Sequence, residues 1–206
     1  MRKGLTELVF LLDMSGSMYP LTEDTIGGFN AMLEEQKKKQ GDALVTTVLF
    51  NIGQTMIHDR VPVGEVEKMT PEQYRACGCT ALVDALGSTV QHISNVHKYI
   101  REEDIPEHTM FVVSTDGAEN ASSIYTAAEV KEMVKTSKEE RGWEFIFLGA
   151  NIDAIETASF LGIDSNRAAG FRCDREGIKA HFAALGIACS SCRDGAGPGD
   201  DWKALL

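Results

Sequence analysis

The sequence predicts an α/β fold in which a doubly wound, mostly parallel β-sheet is flanked by helices and carries one antiparallel strand at its edge. Residues 8–12 and 110–113 are uninterrupted apolar runs, typical of parallel strands buried on both faces. Longer segments with apolar residues at helical spacing alternate with the strands, as expected when crossovers connect a parallel sheet. Residues 54–63 alternate weakly and follow a strand-like run after a short turn, which indicates an antiparallel hairpin.

The first third of the chain reads as strand, helix, strand, strand. Residues 6–12 are the first strand. Residues 22–40 have helical periodicity and end in consecutive lysines just before a glycine, which suits a helix C-terminus. Residues 43–51, rich in Val, Thr, Leu and Phe, are the second strand, and residues 54–63, with a proline near the end, are the edge strand.

The middle of the chain contains two helices and one strand. The pair Thr70-Pro71 resembles a cap followed by a proline at the first helical position, so we expect a short helix there. A loop follows at Cys77-Gly78-Cys79-Thr80. Residues 81–103 form a long amphipathic helix, and residues 108–115 form a buried strand that ends at an aspartate.

The last third continues the alternation. We predict helices over residues 126–141, 151–161 and 174–192, the first two each followed by a glycine. Strands are predicted over residues 143–148 and, as a short last strand, 166–171. Crossovers between parallel strands are expected to be right-handed.

The composition indicates one ordinary globular domain. The chain has 206 residues, of which 43% are hydrophobic and 25% charged. We expect the domain to span residues 5–192 and residues 193–206, rich in glycine and aspartate, to be a flexible C-terminal tail. A net charge of -11 argues against nucleic acid or an anionic membrane as the main partner, since both require a basic surface.

The N-terminal residues do not have the pattern of a signal peptide, because Glu7 and Asp13 interrupt the apolar run. No stretch has the roughly 18 uninterrupted apolar residues of a membrane span. We therefore predict a cytoplasmic protein.

Five cysteines do not form a secreted disulfide framework, so reduced thiols are the simplest interpretation. Cys189 and Cys192 have the spacing of a redox or zinc pair, and Cys77 and Cys79 could add two ligands. On a helix, however, Cys189 and Cys192 are also simply neighbours on one face. The sequence leaves a disulfide or metal site open as the alternative.

Acidic and hydroxyl residues gather where the two apolar strands end. Asp13, Ser15 and Ser17 follow the first strand at alternate positions, and Asp116 follows the second. If these strands are neighbours, their carboxyl ends open into one crevice, and Thr80 precedes a helix that starts nearby. Carboxylate and hydroxyl oxygens suit a hard cation such as Mg²⁺ or Mn²⁺. The competing interpretation is that these residues are helix caps.

Three motifs in this order resemble the von Willebrand factor type A domain with its metal-ion-dependent adhesion site. They are Asp13-Met14-Ser15-Gly16-Ser17, Thr80 within Gly78-Cys79-Thr80-Ala81-Leu82, and Ser114-Thr115-Asp116-Gly117. The resemblance implies a Rossmann-like fold and suggests a small stand-alone bacterial protein.

The resemblance also implies a role for each site residue. Ser15 and Ser17 would bind the cation directly, Asp13 and Asp116 mostly through water and hydrogen bonds, and Thr80 directly when the site is liganded. One coordination position would stay open for an Asp or Glu of a protein partner. Cys79 stands where the family commonly has glycine, which would alter loop packing or make the site sensitive to thiol oxidation.

A non-enzymatic binding module is the prediction, with a Mg²⁺-dependent phosphoryl-transfer hydrolase using Asp13 as the alternative. Hydrolases resembling the haloacid dehalogenase family have a second acid two residues on, where this chain has Ser15. Lack of a secretion signal favours a scaffold or accessory factor in a cytoplasmic complex. Glu119 and Asn120 follow the last motif, where they either shape partner choice or cap the next segment.

Overall fold

The computed structural model describes residues 1–206 and contains one six-stranded sheet with helices on both faces. The strands are β1 (Arg2–Asp13), β2 (Ala43–Phe50), β3 (Gln54–Pro62), β4 (Pro106–Thr115), β5 (Glu144–Gly149) and β6 (Ala168–Gly170). The helices are α1 (Thr22–Lys38), α2 (Leu82–Tyr99), α3 (Ala127–Arg141), α4 (Ala154–Phe160) and α5 (Arg175–Arg193).

The sheet has the strand order β3-β2-β1-β4-β5-β6 and is parallel except for the β2–β3 hairpin at one edge. This confirms the predicted doubly wound sheet with one antiparallel edge strand. β1 lies in the middle, with β2 on one side and β4 on the other. Because Leu12 is in register with Ser114, the carboxyl ends of β1 and β4 emerge side by side.

Two apolar clusters, one on each face of the sheet, hold the layers together. Leu8, Phe10 and Leu12 of β1 belong to a cluster of 30 buried residues that includes the inner sides of α1 and α5. Val9 and Leu11 belong to a cluster of 22 that includes α2, α3 and α4. This period-two alternation is what a strand covered on both faces requires. None of the helices has the length and apolar character needed to cross a bilayer.

The expected short helix after Thr70 is wrong. Thr70 accepts hydrogen bonds from the backbone N–H groups of Gln73 and Tyr74, which close a single turn, and the chain then extends. The cap-like pattern is real, since Gln73 Oε1 accepts from the Thr70 N–H at 2.9 Å. The turn does not continue because Tyr74 enters the core, where it is 1% exposed.

The C-terminal residues lie against the domain instead of projecting from it as a free tail. A 3₁₀ helix, Asp201–Leu205, packs on α5, and Trp202 is fully buried in the cluster on that face. Arg167 donates to the Gly199 carbonyl at 2.6 Å, which holds the connecting turn. The sequence predicted a flexible tail over residues 193–206, whereas Trp202 buries its apolar side chain on this face of the domain.

Candidate metal centre

Asp13 ends β1 and is almost completely buried, with 1% of its surface exposed. Its Oδ1 accepts from the Ser15 N–H at 2.7 Å, and its Oδ2 accepts from the Thr115 hydroxyl at 2.5 Å. Burial raises the pKa of Asp13 above its ordinary value, and the hydrogen bonds from Thr115 and Ser15 offset only part of that effect. A cation nearby would therefore stabilise a carboxylate that the protein has removed from water.

Ser17 connects the loop after β1 to the loop after β4. Its hydroxyl donates to Asp116 Oδ1 at 2.6 Å and lies 3.1 Å from the Ser15 hydroxyl. Ser15 and Asp116 are each 2% exposed, whereas Ser17 is exposed at the rim. A helix cap would bond the backbone of its own first turn, but the partner of Ser17 is 99 positions away. Two hydroxyls and a carboxylate therefore share one small volume.

Thr80 completes the group of predicted site residues from a third loop. A Cβ atom at Gly117 would lie 3.4 Å from the Thr80 hydroxyl oxygen and 3.8 Å from that of Ser17, so both hydroxyls approach the same glycine. Thr80 is 3% exposed. The structure thus brings together all five residues predicted from the sequence, namely Asp13, Ser15, Ser17, Thr80 and Asp116.

The donor set is made entirely of oxygen: two carboxylates and three hydroxyls. Nowhere in the structure do three or more His, Cys, Asp or Glu side chains come together as a metal-binding cluster. Carboxylate and hydroxyl oxygens are ligands for hard divalent cations, and neutral hydroxyls leave much of the charge of such a cation uncompensated. The residues present therefore fit a divalent cation chemically.

Two residues that touch the centre were not predicted to do so. The Tyr74 hydroxyl donates to the Asp13 carbonyl, and burial raises the pKa of Tyr74 well above its ordinary value. The Cys173 thiol lies 3.8 Å from Asp116 Oδ2. Burial raises the pKa of the Cys173 thiol, so the neutral donor form is favoured. Neither residue carries a local sequence signal of its contact.

The side chains of Glu119 and Asn120 bond the start of α2, and Glu119 Oε1 also caps the turn that follows it by accepting from the Ala121 and Ser122 N–H groups at 2.8 and 2.7 Å. Glu119 Oε2 accepts from the Val83 N–H at 2.8 Å, and Asn120 Oδ1 accepts from the Thr80 N–H at 2.9 Å. The cap of α3 is instead Thr126. Hydrogen bonds from Val83, Ser122 and Ala121 lower the pKa of Glu119 even though its burial acts in the opposite direction.

All five cysteines are free thiols. Cys189 and Cys192 are buried on the inner face of α5, and burial raises the pKa of both thiols, that of Cys192 to about 12. Cys77 and Cys79 are exposed in the loop before Thr80. The structure therefore contains no four-thiolate zinc site, which was the alternative interpretation.

Comparison with solved structures identifies the class of fold. No protein-family model and no curated protein sequence matches the chain. A von Willebrand factor type A structure from Catenulispora acidiphila matches with a TM-score of 0.56 and 15% identity over 90% of this chain and 42% of that one. The fold of this protein is that of a von Willebrand factor type A domain, as the sequence motifs predicted.

Two further similar structures were solved with a metal. Manganese-loaded TRAP protein of Plasmodium vivax matches with a TM-score of 0.58 and 19% identity, over 87% of this chain and 72% of that one. Proximal thread matrix protein 1 of the mussel byssus, with a zinc-occupied MIDAS motif, matches with a TM-score of 0.64 and 13% identity, over 90% and 48%. The chain thus spans about half the length of several of the structures that it resembles.

Proposed function

We propose that this protein is a metal-dependent protein-binding module. A divalent cation, Mg²⁺ or Mn²⁺, is held by Asp13, Ser15, Ser17, Thr80 and Asp116, and a protein partner completes the site with an Asp or Glu carboxylate. The observation that carries the proposal is the hydrogen bond of 2.6 Å between Ser17 and Asp116, which joins two loops far apart in sequence into one oxygen cluster. Similar structures loaded with manganese or zinc support a divalent cation.

The arrangement explains why a partner carboxylate would bind. A bound cation supplies a strong electrophile to which an incoming carboxylate can coordinate. The exposed residue of the cluster is Ser17, which offers a neutral hydroxyl. The carboxylate of Asp13 is instead buried and hydrogen-bonded. With Asp13 and Asp116 acting mostly through water and hydrogen bonds, the direct ligands are neutral hydroxyls that neutralise little of the cation's charge, which favours an external anionic ligand.

The phosphoryl-transfer alternative receives less support from the geometry. An aspartyl nucleophile needs an oxygen that faces the substrate. Both carboxylate oxygens of Asp13 already accept hydrogen bonds, and the residue is 1% exposed. We therefore favour binding over catalysis and propose a scaffold or accessory role within a cytoplasmic complex.

Calorimetric titration of Mg²⁺ and Mn²⁺ into chelator-stripped protein tests the metal site. We expect saturable binding by the unaltered protein and its loss in Asp13→Ala and Asp116→Ala, because each change removes a carboxylate from the cluster. Asp59→Ala, which removes a carboxylate at the exposed pair with His92, is the matched control and should bind normally. Circular dichroism checks that the variants stay folded. Unchanged binding in both site variants would refute the assignment.

The open coordination position can be tested separately with acetate as a carboxylate probe. Acetate added to the Mn²⁺-loaded protein should displace metal-bound water, which would reduce the proton relaxation enhancement of the solvent. If acetate at tens of millimolar leaves this enhancement unchanged while Mn²⁺ stays bound, the cation has no position available to a carboxylate, and the proposed mode of partner binding fails.

A further inference from the structure

The loop between β4 and α3 is attached to the first turn of α2 by side chains from both segments. Asp84 on α2 accepts from the backbone N–H groups of Ser123, Ile124 and Tyr125 at 2.8 to 2.9 Å. In return, Glu119 of the loop accepts from the Val83 N–H at 2.8 Å. Hydrogen bonds to three backbone groups lower the pKa of Asp84 despite its partial burial. The loop that begins at Asp116 is therefore fixed to the helix that begins after Thr80.

Asn120 of the same loop forms hydrogen bonds with both backbone groups of Thr80, its N–H and its carbonyl. The Asn120 N–H donates to the Thr80 carbonyl at 3.0 Å, and Asn120 Oδ1 accepts from the Thr80 N–H at 2.9 Å. Thr80 is buried, so each of these groups needs a partner within the protein. One residue thus satisfies both backbone groups of a predicted metal ligand.

Residues next to Thr80 in sequence are also hydrogen-bonded to other loops. The Ala81 N–H donates to the Asn51 carbonyl at 2.7 Å, and the Gly16 N–H donates to the Gly78 carbonyl at 3.0 Å. Gly78 can make this turn because its φ of +77° lies in the left-handed region that glycine tolerates. Thr80 consequently cannot move without disturbing the loops that carry Ser17 and Asp116.

We infer that Asn120 is a positioning residue of the metal centre, which holds the Thr80 hydroxyl in place through its side-chain carbonyl. The inference rests on the proposed metal site and adds a residue that does not itself contact the cation. Removal of Oδ1 leaves the buried Thr80 N–H without a partner, so the loop has to shift to reach another acceptor. Partners that orient metal ligands typically change metal affinity 10- to 100-fold, roughly, when they are removed.

The test compares Mn²⁺ affinity with metal-free stability in the same variants. We expect Asn120→Ala to weaken Mn²⁺ binding by about 10-fold or more in a calorimetric titration of chelator-stripped protein. Asn120→Asp, which keeps an acceptor at Oδ1, should bind at least as tightly as the unaltered protein. Asn95→Ala is the matched control, because Asn95 is exposed on α2 and its side chain accepts a hydrogen bond from Gln91, far from the site loops in sequence.

Thermal unfolding in EDTA shows whether Asn120→Ala merely destabilises the domain. We expect Asn120→Ala to bind the metal more weakly than the unaltered protein and yet to remain folded at the temperature of the titration. If Asn120→Ala does not fold, Asn120→Leu, which has similar size and no acceptor, replaces it, and the same loss of affinity is expected.

Three results would overturn the inference. The first is wild-type Mn²⁺ affinity in Asn120→Ala, with binding lost in Thr80→Ala; the metal site would then stand and only the role of Asn120 would fall. The second is an equal loss in Asn120→Asp, since the acceptor would then not matter. The third is no saturable Mn²⁺ binding by the unaltered protein, which would remove the proposed function as well.

Discussion

A fully buried acidic side chain, Glu7, lies in the middle of the sheet away from the candidate metal centre. Glu7 of β1 is 0% exposed. One of its carboxyl oxygens lies 2.6 Å from Arg60 Nε, and the other lies 2.5 Å from His97 Nε2. Arg60 has a φ of +52°, beside an irregularity in the β2–β3 pairing, and this conformation places its guanidinium against Glu7. A buried charge is tolerated only when it is paired in this way.

We expect Glu7→Gln to lower the free energy of unfolding by about 3 kcal/mol, since one partner of a buried ion pair is removed while the Arg60 charge stays. Removing one partner of a buried ion pair usually costs about 3 to 5 kcal/mol, and we expect the lower value because 15% of the Arg60 side chain is exposed. Urea denaturation at pH 7 measures it. Asp104→Asn, in the exposed pair with Arg101, is the control and should cost less than about 1 kcal/mol. Equal effects would contradict the expected difference.

His181 is one residue that should make stability depend on pH below neutrality. It is completely buried between Phe171 and Phe182, and burial lowers its pKa to about 3. The unfolded chain has a histidine pKa of about 6.5 and takes up a proton first. The stability that neutral His181 contributes is therefore fully present above about pH 6.5 and is lost as the pH falls from there toward 3.

His181→Leu should reduce this pH dependence. Between about pH 6 and pH 5, the slope of unfolding free energy against pH should decrease by up to about 1.4 kcal/mol per pH unit, because one proton less is taken up on unfolding. Urea denaturation at half-unit pH steps measures both slopes. The comparison concerns slopes, so a uniform loss of stability in the variant does not affect it. Identical slopes would show that His181 is not the group responsible.

At the scale of elements, one buried residue, Trp202, attaches the C-terminal 3₁₀ helix to the domain. The segment before it, residues 194–200, is rich in glycine and aspartate and has no periodic pattern. Trp202 nevertheless buries its whole side chain against α5. A large aromatic side chain removes enough apolar area from water to offset the entropy of ordering a short segment.

Trp202→Ala should therefore lower the free energy of unfolding by about 3 to 5 kcal/mol, as for other buried aromatic residues truncated to alanine. Leu205→Ala, at a position that is 46% exposed, should change it by less than about 0.5 kcal/mol. Thermal and urea unfolding measure both variants. If Trp202→Ala were as stable as the control, the segment would not be packed against the domain in solution.

At the scale of the whole molecule, the predicted site residues come together because the strand order places β1 beside β4. The loops after these strands, with Asp13 to Ser17 and Asp116, then meet at one edge of the sheet, which is where open α/β sheets place their sites. The buried Tyr74 hydroxyl donates a hydrogen bond to the Asp13 carbonyl at this edge. The centre is therefore a property of topology as much as of its side chains.

The sequence by itself determined the class of fold and the order of the strands and main helices, and it predicted the five residues of the candidate site. These features are local: periodicity identifies each element, and an acid at the end of an apolar run identifies each site loop. Thr80 has a weaker local signal than the other four, namely its position between a glycine-containing loop and a predicted helix, and the family resemblance supported its inclusion.

Only the tertiary structure decided which distant residues meet. Nothing in the sequence near Asn120 indicates that it binds Thr80, and nothing near Trp202 indicates that it is buried. Likewise, Glu7 and Arg60 pair across 53 positions. The physical reason is that such contacts depend on the path of loops and on the packing of whole elements. Hydrophobic periodicity records which face of an element is buried, but it does not record which partner that face contacts.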